Sequence, residues 1–507
     1  MESTPSRHDH NNNNNKVVTP SEVVELKELL LRSILHVDRQ NYNNVNNPFE
    51  NYKLFVTLNL GPIQFRDNHC DIVTLLLSYC KNQKGCRTLQ TIMEEEYSAG
   101  GATNEVENSW IIQALLSALQ HNYTHASSGA PTGISSFSEV MADSYGNFII
   151  QKMFLLFNKK MRRFILTETN LKFNLFNNIS NSRHGTFAVQ KLIETIPNKD
   201  SGRDAESNTR LTEEEENIIA DIFNQYTNVK ELLINEYGVH VVYKFLSYIN
   251  TRYAEGNHPN SSAVIFRKVS FIYFTIIKNK NIICNTKNGC CAVQKVIKYF
   301  FNFFYEGGKG GEEGSNFFVQ FVSGIIFNDD QNNAGTNNYT LCSNAFGNYV
   351  IGLILEISFT NQGPLATVLQ QFSANLFHDH FHTPQKNNPL LLSLCKNKFS
   401  SNVLEKVLEY SEEGTMRKYT EFLLFPSTTA LGGHPVNLTE IVTDSIGNYV
   451  IQTYLRYVPS PLLTTPFHPT GLTVLQCLKD AIPLLEHRKF GEKMKSQIKL
   501  AEMKANE

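Results

Sequence analysis

A glycine followed five residues later by a glutamine recurs along this chain inside apolar flanks, and it restricts what the chain can fold into. The series runs Gly85-Cys-Arg-Thr-Leu-Gln90, Gly146-Asn-Phe-Ile-Ile-Gln151 and Gly185-Thr-Phe-Ala-Val-Gln190. A fourth copy is altered, Gly238-Val-His-Val-Val-Tyr243, and Gly289-Cys-Cys-Ala-Val-Gln294 follows. Gly347-Asn-Tyr-Val-Ile-Gly352 lacks the glutamine, Ser400-Ser-Asn-Val-Leu-Glu405 replaces both ends, and Gly447-Asn-Tyr-Val-Ile-Gln452 is the eighth copy. In this last copy Asn448, Tyr449 and Gln452 share one side of a helix, within an arc of about 100°. Val450, Ile451 and Tyr454 point elsewhere and are expected to pack inward. Asp444 or Ser445 is placed to accept hydrogen bonds from the free N–H groups at the helix start. The shortest step, Gly146 to Gly185, holds the unit near 39 residues, room for two or three helices of a helical solenoid. One helix pair cannot bury its apolar face alone, so stacked neighbours share a core.

The longer steps carry polar stretches that read as loops: 199–208, 306–315, 329–338 and 378–388, the last with Pro384. Closure entropy grows slowly with length, so such insertions are tolerable. Apolar segments at 218–223, 264–277, 317–326 and 365–377 supply further helices. Residues 1–20 are Asn-rich and expected to be disordered. Residues 21–37 form an amphipathic pattern through Val23, Val24, Leu26, Leu29, Leu30, Ile34 and Leu35. That helix either caps the array or binds a partner, packing being the commoner outcome. The expected organisation is an N-terminal cap region over 21–66, eight repeats over 67–458, a C-terminal cap over 459–499 and a tail over 500–507. Pro483 should break the cap into two helices.

Lys and Arg number 46 against 48 Asp and Glu, a formal charge of −2 over 507 residues. That excludes a wholesale basic surface for unspecific nucleic-acid binding, and leaves room for a local groove that meets bases. Nine cysteines, with Cys290 and Cys291 adjacent and no paired C-x-x-C spacing, read as reduced cytosolic thiols. No apolar run approaches the ~20 residues that cross a bilayer, and the N-terminus has no apolar signal core, so neither membrane nor secretion is expected. His378, His380 and His382 fall in a polar loop and are not read as a metal site. Thr212-Glu-Glu-Glu215 is a capping box and charged first turn. Without a Ser/His/Asp arrangement, P-loop or dinucleotide fingerprint, there is no positive case for an enzyme or a cofactor.

The eight units, over about residues 71–499, closely resemble the repeats of the Pumilio/FBF, or PUF, family. Asn397-Lys-Phe-Ser-Ser-Asn-Val-Leu-Glu-Lys406 is similar to that family's guanine-reading repeat, and an Asn-Tyr-x-x-Gln repeat follows it, as in the family. Leu484-Leu-Glu-His-Arg-Lys-Phe-Gly-Glu-Lys493 looks like the terminal pseudo-repeat. PUF repeats are the known case of one base read per helical repeat by two or three side chains. The resemblance implies an all-α, right-handed superhelical solenoid, a crescent whose central helices line the concave face, with RNA running antiparallel. Carried over by position, Asn448 and Gln452 read U with Tyr449 stacking, and Ser401 and Glu405 read G with Asn402 between. Asn348 and Tyr349 suggest U, although Gly352 removes an amide. Cys290 and Gln294 with Cys291 suggest A. Val239 and Tyr243 lack amides, so the next position is relaxed, with His240 left to stack. Thr186, Phe187 and Gln190 lean toward A; Asn147, Phe148 and Gln151 suggest U; Cys86, Arg87 and Gln90 suggest A. In order this is 5′-UGUA-N-A-U-A, a 3′-UTR type of element.

The chemistry fits these residue types. Asn and Gln offer both donors and acceptors, as uracil's edge requires, and a carboxylate accepts two N–H groups from guanine. Small Cys or Ser leaves room for a purine, and Tyr, Phe, His or Arg stacks with about 1–3 kcal/mol per base. Lys152, Lys191, Lys244, Lys295 and Lys406 each follow the last reading position, near phosphates or on a solvated flank. The implied role is a monomeric cytoplasmic regulator of mRNA translation and decay that recruits protein effectors. The alternatives are a ribosome-assembly relative of the same fold, or a protein-interaction scaffold, which the altered fourth unit, Gly352 and Cys291 favour slightly.

Overall fold

The computed structural model describes residues 80–99, 136–156, 175–195, 217, 228–254, 261–306, 311–328, 337–361, 363–382, 389–424, 436–467 and 471–506. The sequence features at 1–66, 199–208, 212–215 and 218–223 lie outside them. Two compact units divide the chain, Met1–Thr227 and Asn228–Glu507.

In the first unit the described helices are α1 (Gln83–Ala99), α2 (Ser136–Ala142), α3 (Gly146–Leu156), α4 (Leu175–Ser180) and α5 (Gly185–Thr195). The second unit opens with α6 (Val229–Ile234), α7 (Gly238–Ala254), α8 (Ser261–Ile283) and α9 (Lys287–Phe304). It continues through α10 (Gly311–Ile326), α11 (Tyr339–Cys342), α12 (Gly347–Thr360) and α13 (Pro364–His382). Then come α14 (Pro389–Lys396), α15 (Ser400–Glu409), α16 (Glu413–Leu424), α17 (Val436–Thr443) and α18 (Gly447–Tyr457). The chain ends in α19 (Ser460–Thr464), α20 (Val474–Asp480), a 3-10 turn at Ile482–Leu485 containing Pro483, and α21 (Gly491–Asn506). The described residues are all-helical, with two isolated bridges, Phe327 to Asn337 and Phe467 to Leu472.

One turn precedes the central helix of each repeat, and its chemistry repeats eight times. The side chain three residues before the repeat's first position accepts a hydrogen bond from that position's backbone N–H. The acceptors are Asn82, Asp143, Ser182 and Asn235, then Thr286, Asn344, Asn397 and Asp444. This satisfies donors that a helix start otherwise leaves open. In the last repeat Asp444 does the work: its Oδ1 accepts from both Ile446 and Gly447 at 2.8 Å.

The glycine is required by packing. A Cβ on Gly447 would lie 2.7 Å from the carbonyl oxygen of Ile441, and one on Gly146 would lie 2.6 Å from that of Val140. Real Cβ atoms do not approach so closely, so the short helix reaches this near to the central one only over a glycine. Ser400 solves the same problem differently. Its hydroxyl donates to the Leu394 carbonyl at 2.8 Å, turning the clash into a hydrogen bond inside a buried turn.

Central helices of successive repeats lie side by side: α1, α3 and α5 in the first unit; α7, α9, α12, α15, α18 and finally α21 in the second. Their inward positions are fully buried, as with Ile149, Ile150, Val350, Ile351, Val450 and Ile451. The outer helices close the core from the other side. Tyr454 of α18, completely buried, shares a hydrogen bond of 2.7 Å with Thr420 of α16. Lys280 is buried at the end of α8, where its ammonium donates to the carbonyls of Gly324 and Phe327 at 2.6 and 2.7 Å. A cation there satisfies the terminal acceptors of α10.

Two expected loops are shorter than the sequence suggests. Helix α10 begins at Gly311, where Glu312 and Glu313 in its first turn favour the positive end of the helix dipole. Helix α13 runs to His382, so His378, His380 and His382 stand on a helix. The buried stripe of Leu365, Val368, Phe372 and Leu376 anchors it.

Replacing Asp444 by alanine should lower stability by about 0.5–2 kcal/mol, the range for losing such a cap. A urea unfolding midpoint that falls with an unchanged slope would show it.

Candidate nucleic-acid interface

The turn fixes where each central helix begins, and the helix period then sorts the residues after the glycine. The residue one after it is buried in all eight repeats: Cys86, Asn147, Thr186, Val239, Cys290, Asn348, Ser401 and Asn448. The next residue faces solvent in seven of the eight. Phe148 and Phe187 are each 53% exposed, and Tyr349 and Tyr449 stand out similarly. His240, Cys291 and Asn402 are exposed and Arg87 is half-buried. Large aromatic rings exposed at the same position of four repeats oppose the usual tendency to bury such surface.

The residue five after the glycine turns back onto the first. Gln452 Nε2 donates to Asn448 Oδ1 at 2.8 Å, and Gln151 makes the same bond to Asn147 at 2.8 Å. Gln190 donates to the Thr186 hydroxyl, and Gln90 and Gln294 to the sulfurs of Cys86 and Cys290, all at 3.1 Å. Both amide hydrogens of Asn448 are used as well, on the carbonyls of Asp444 and Ser445 at 2.9 Å. Asn147 does the same with Asp143 and Ser144. The asparagine thus works inward as an orienting group. Asn147, Asn448 and Gln452 are buried, whereas Gln151 is half-buried and keeps Oε1 and its other N–H for a ligand.

The thiols have a role that spacing alone does not reveal. Cys86 donates to the carbonyl of Tyr145 and Cys290 to that of Phe346, at 3.2 and 3.1 Å. Each acceptor sits just before the next repeat's glycine, so the small reading residue also joins neighbouring repeats. Burial pushes the Cys86 thiol up to about 11, and raises that of Cys290. Both stay protonated donors at neutral pH.

Repeats four, six and seven differ. Tyr243 replaces glutamine, and its ring meets the edge of His240 at 5.9 Å with the Lys295 ammonium 3.9 Å above it. Burial pushes the Tyr243 phenol up to about 12. At Gly352 the place of a reading side chain is covered by the Lys406 stem. In the seventh repeat Glu405 is half-buried; burial raises its carboxyl, countered by a hydroxyl bond from Thr453 and by the charge of Arg456.

The lysines after the last reading position point to neighbouring side chains. Lys152 pairs with Glu94, Lys406 with Glu356 at 3.2 Å and Lys191 with Glu194 at 3.2 Å. Lys493 of α21 lies 5.8 Å over the Tyr449 ring, a contact with no signature in the repeat. Among the described residues no cluster of metal-ligating side chains occurs, and no helix is long and apolar enough to cross a membrane.

Within each unit the central helices carry an orienting pair with an exposed residue between its members, joined to neighbouring repeats by neutral contacts, which defines a helical-repeat protein. Comparison with known proteins gives the class of repeat. The family described as "Pumilio-family RNA binding repeat" matches residues 76–96, 136–168, 176–201, 283–301 and 391–417. Pumilio homolog 12 of Arabidopsis thaliana is 24% identical over 376 residues, 74% of this chain and 46% of its own length. Suppressor protein MPT5 of Saccharomyces cerevisiae is 25% identical over 357 residues, 64% of this chain and 33% of its own. The chain therefore spans less than half the length of either relative. The RNA-binding domain of yeast Puf5p, solved bound to SMX2 RNA, superposes with a TM-score of 0.52 at 21% identity, covering 85% of this chain and 97% of that domain. PUF-6, solved in complex with 5BE13 RNA, gives a TM-score of 0.52 at 15% identity, covering 84% and 98%. The chain carries repeats of the Pumilio type on the fold of the solved Pumilio RNA-binding domains.

Native protein treated with an alkylating agent at pH 8 should lose the exposed Cys291 thiol well before Cys86. Burial pushes the Cys86 thiol up to about 11, so little of it is the reactive thiolate at that pH, whereas Cys291 is open to the reagent. Peptide mapping of the labelled cysteines reads the order.

Proposed function

We propose that this protein binds single-stranded mRNA sequence-specifically, one base per repeat, at a 3′-UTR element of the form 5′-UGUA-N-A-U-A. The observation that carries the reading is the repeated pair, a buried residue holding its partner five positions on, with an exposed ring between. Bases in a duplex would be out of reach of such a row, whereas unpaired bases slide between the rings. Uracil's N3–H finds the amide oxygens of the Asn–Gln pairs, and one of its carbonyls finds the free glutamine N–H. Guanine's N1–H and N2–H find the Glu405 carboxylate. The sites proposed for the bases are those carried over by position in all eight repeats.

The proposed code is weakest at two places. Tyr243, held beneath Lys295, offers a ring and a hydroxyl instead of an amide, and repeat six offers Asn348 without a partner glutamine. Discrimination is therefore weakest opposite these units. Affinity rests on stacking and hydrogen bonds more than on counter-ion release, because the lysines of the reading helices are engaged with Glu94, Glu356 and Tyr243. The cellular role we infer is control of mRNA translation and decay in the cytoplasm by a monomer that recruits protein effectors.

Selection from a random RNA library should enrich a UGUA-containing site; no enrichment would refute the reading. The double change S401N with E405Q should move the preference at the second base from G to U, and a double variant that still selects G would place the register elsewhere. Tyr449→Ala should weaken binding by about 1–3 kcal/mol without altering which base is preferred, measured by titration of a labelled RNA.

A further inference from the structure

The residue six after a repeat's first position is not one of the family's reading positions, yet in the second unit it meets the last reading position of the repeat before in three cases. Three contacts in the second unit show this. Lys295 of α9 sits over Tyr243 of α7, its ammonium 3.9 Å from the ring centre. The stem of Lys406 in α15 covers Gly352 of α12, 3.3 Å from where a Cβ would stand. Thr453 of α18 donates its hydroxyl to Glu405 Oε2 of α15 at 3.1 Å. The register is the same each time because adjacent central helices run side by side from the same glycine turn.

We propose that Thr453 is a positioning residue for guanine recognition, holding the Glu405 carboxylate by one oxygen so that its remaining lone pairs face the second base. The inference rests on the RNA-reading function above and adds a member to its specificity set. Thr453 is 8% exposed and so has a fixed rotamer. A β-branched side chain has few other choices there. Without the hydroxyl, the carboxylate would be free to turn, and guanine's paired N–H groups would lose a fixed partner.

The surroundings of Glu405 leave this bond as its near polar contact. Lys406 on the same helix is drawn to Glu356 of α12 and the Tyr410 hydroxyl, and Glu409 accepts from Tyr457. From α16, Tyr419 is pushed well above its ordinary range by burial and remains a neutral phenol, as do the buried Tyr454 of α18 and the Cys395 thiol of α14. Arg456 of α18 supplies the positive charge that reaches Glu405. Burial raises the carboxyl, and the Thr453 bond opposes the rise. Guanine needs the ionised form, which accepts two N–H groups. Its recognition is therefore present above the Glu405 pKa and lost as the pH falls through it. Removing the hydroxyl moves that loss to higher pH.

The test is the ratio of affinities for an RNA bearing UGUA and one bearing UAUA, measured from pH 5 to 8 with the full chain. Wild type should favour guanine, with the preference fading toward acid. T453V and T453A should each lower the ratio at pH 7 about tenfold and shift its fading upward in pH, while T453S restores the wild-type profile. Discrimination at the first base, read by Gln452, should be unchanged in all three, which separates a local effect from general unfolding. The inference is overturned if T453V and T453A keep the wild-type ratio and pH profile, or if T453S fares no better than T453A. If wild type itself ignores the second base while binding RNA, the assignment of Glu405 fails first.

Discussion

The structure depends on one close approach: the carbonyl that ends a short helix lies against the first residue of the central helix. That contact admits glycine, or a serine that hydrogen-bonds across it as Ser400 does. The capping side chain three residues earlier then sets the helix phase. Everything on the reading face follows from the phase. A helix turned by one residue would bury the exposed rings of Phe148 and Tyr449 and expose Val450 and Ile149. Repeating the turn gives every repeat the same phase, and adjacent helices then meet in the same register.

That register ties specificity to packing. The small residues Cys86 and Cys290 join their repeat to the next through a thiol. Asn147 and Asn448 spend their own hydrogens on the turn and hold the glutamines in place. Lysines that would suit phosphates are drawn to acidic or aromatic side chains instead. The near-neutral charge of the chain leaves little unspecific attraction for a polyanion.

Much of the fold was legible because the repeated turn is a local constraint: glycine, apolar run and glutamine lie within six residues. The capping acceptors were legible too, since Asn, Asp, Ser or Thr precedes every repeat by three, although the pattern stands out only in alignment with the glycine. Helix α13 shows the reverse. Its passage through His378 and His382 follows from packing of Phe372 and Leu376 upstream, which polar composition does not report. The positions of the amides and exposed rings on the helix could be read from spacing, but the inward use of both Asn448 hydrogens could not, because it depends on where the turn carbonyls point.

By itself the sequence determined the repeat, its helical phase, the chemical types offered to a ligand and the odd carboxylate at the seventh position. Those properties lie within a few residues of one another, where spacing and helix geometry suffice. The tertiary structure decided what those groups do once helices are paired: Thr453 on Glu405, Lys295 over Tyr243, Lys406 across Gly352 and Lys493 above Tyr449. Each of these contacts joins residues far apart along the chain, and their meeting is fixed by the packing of neighbouring helices rather than by any local pattern.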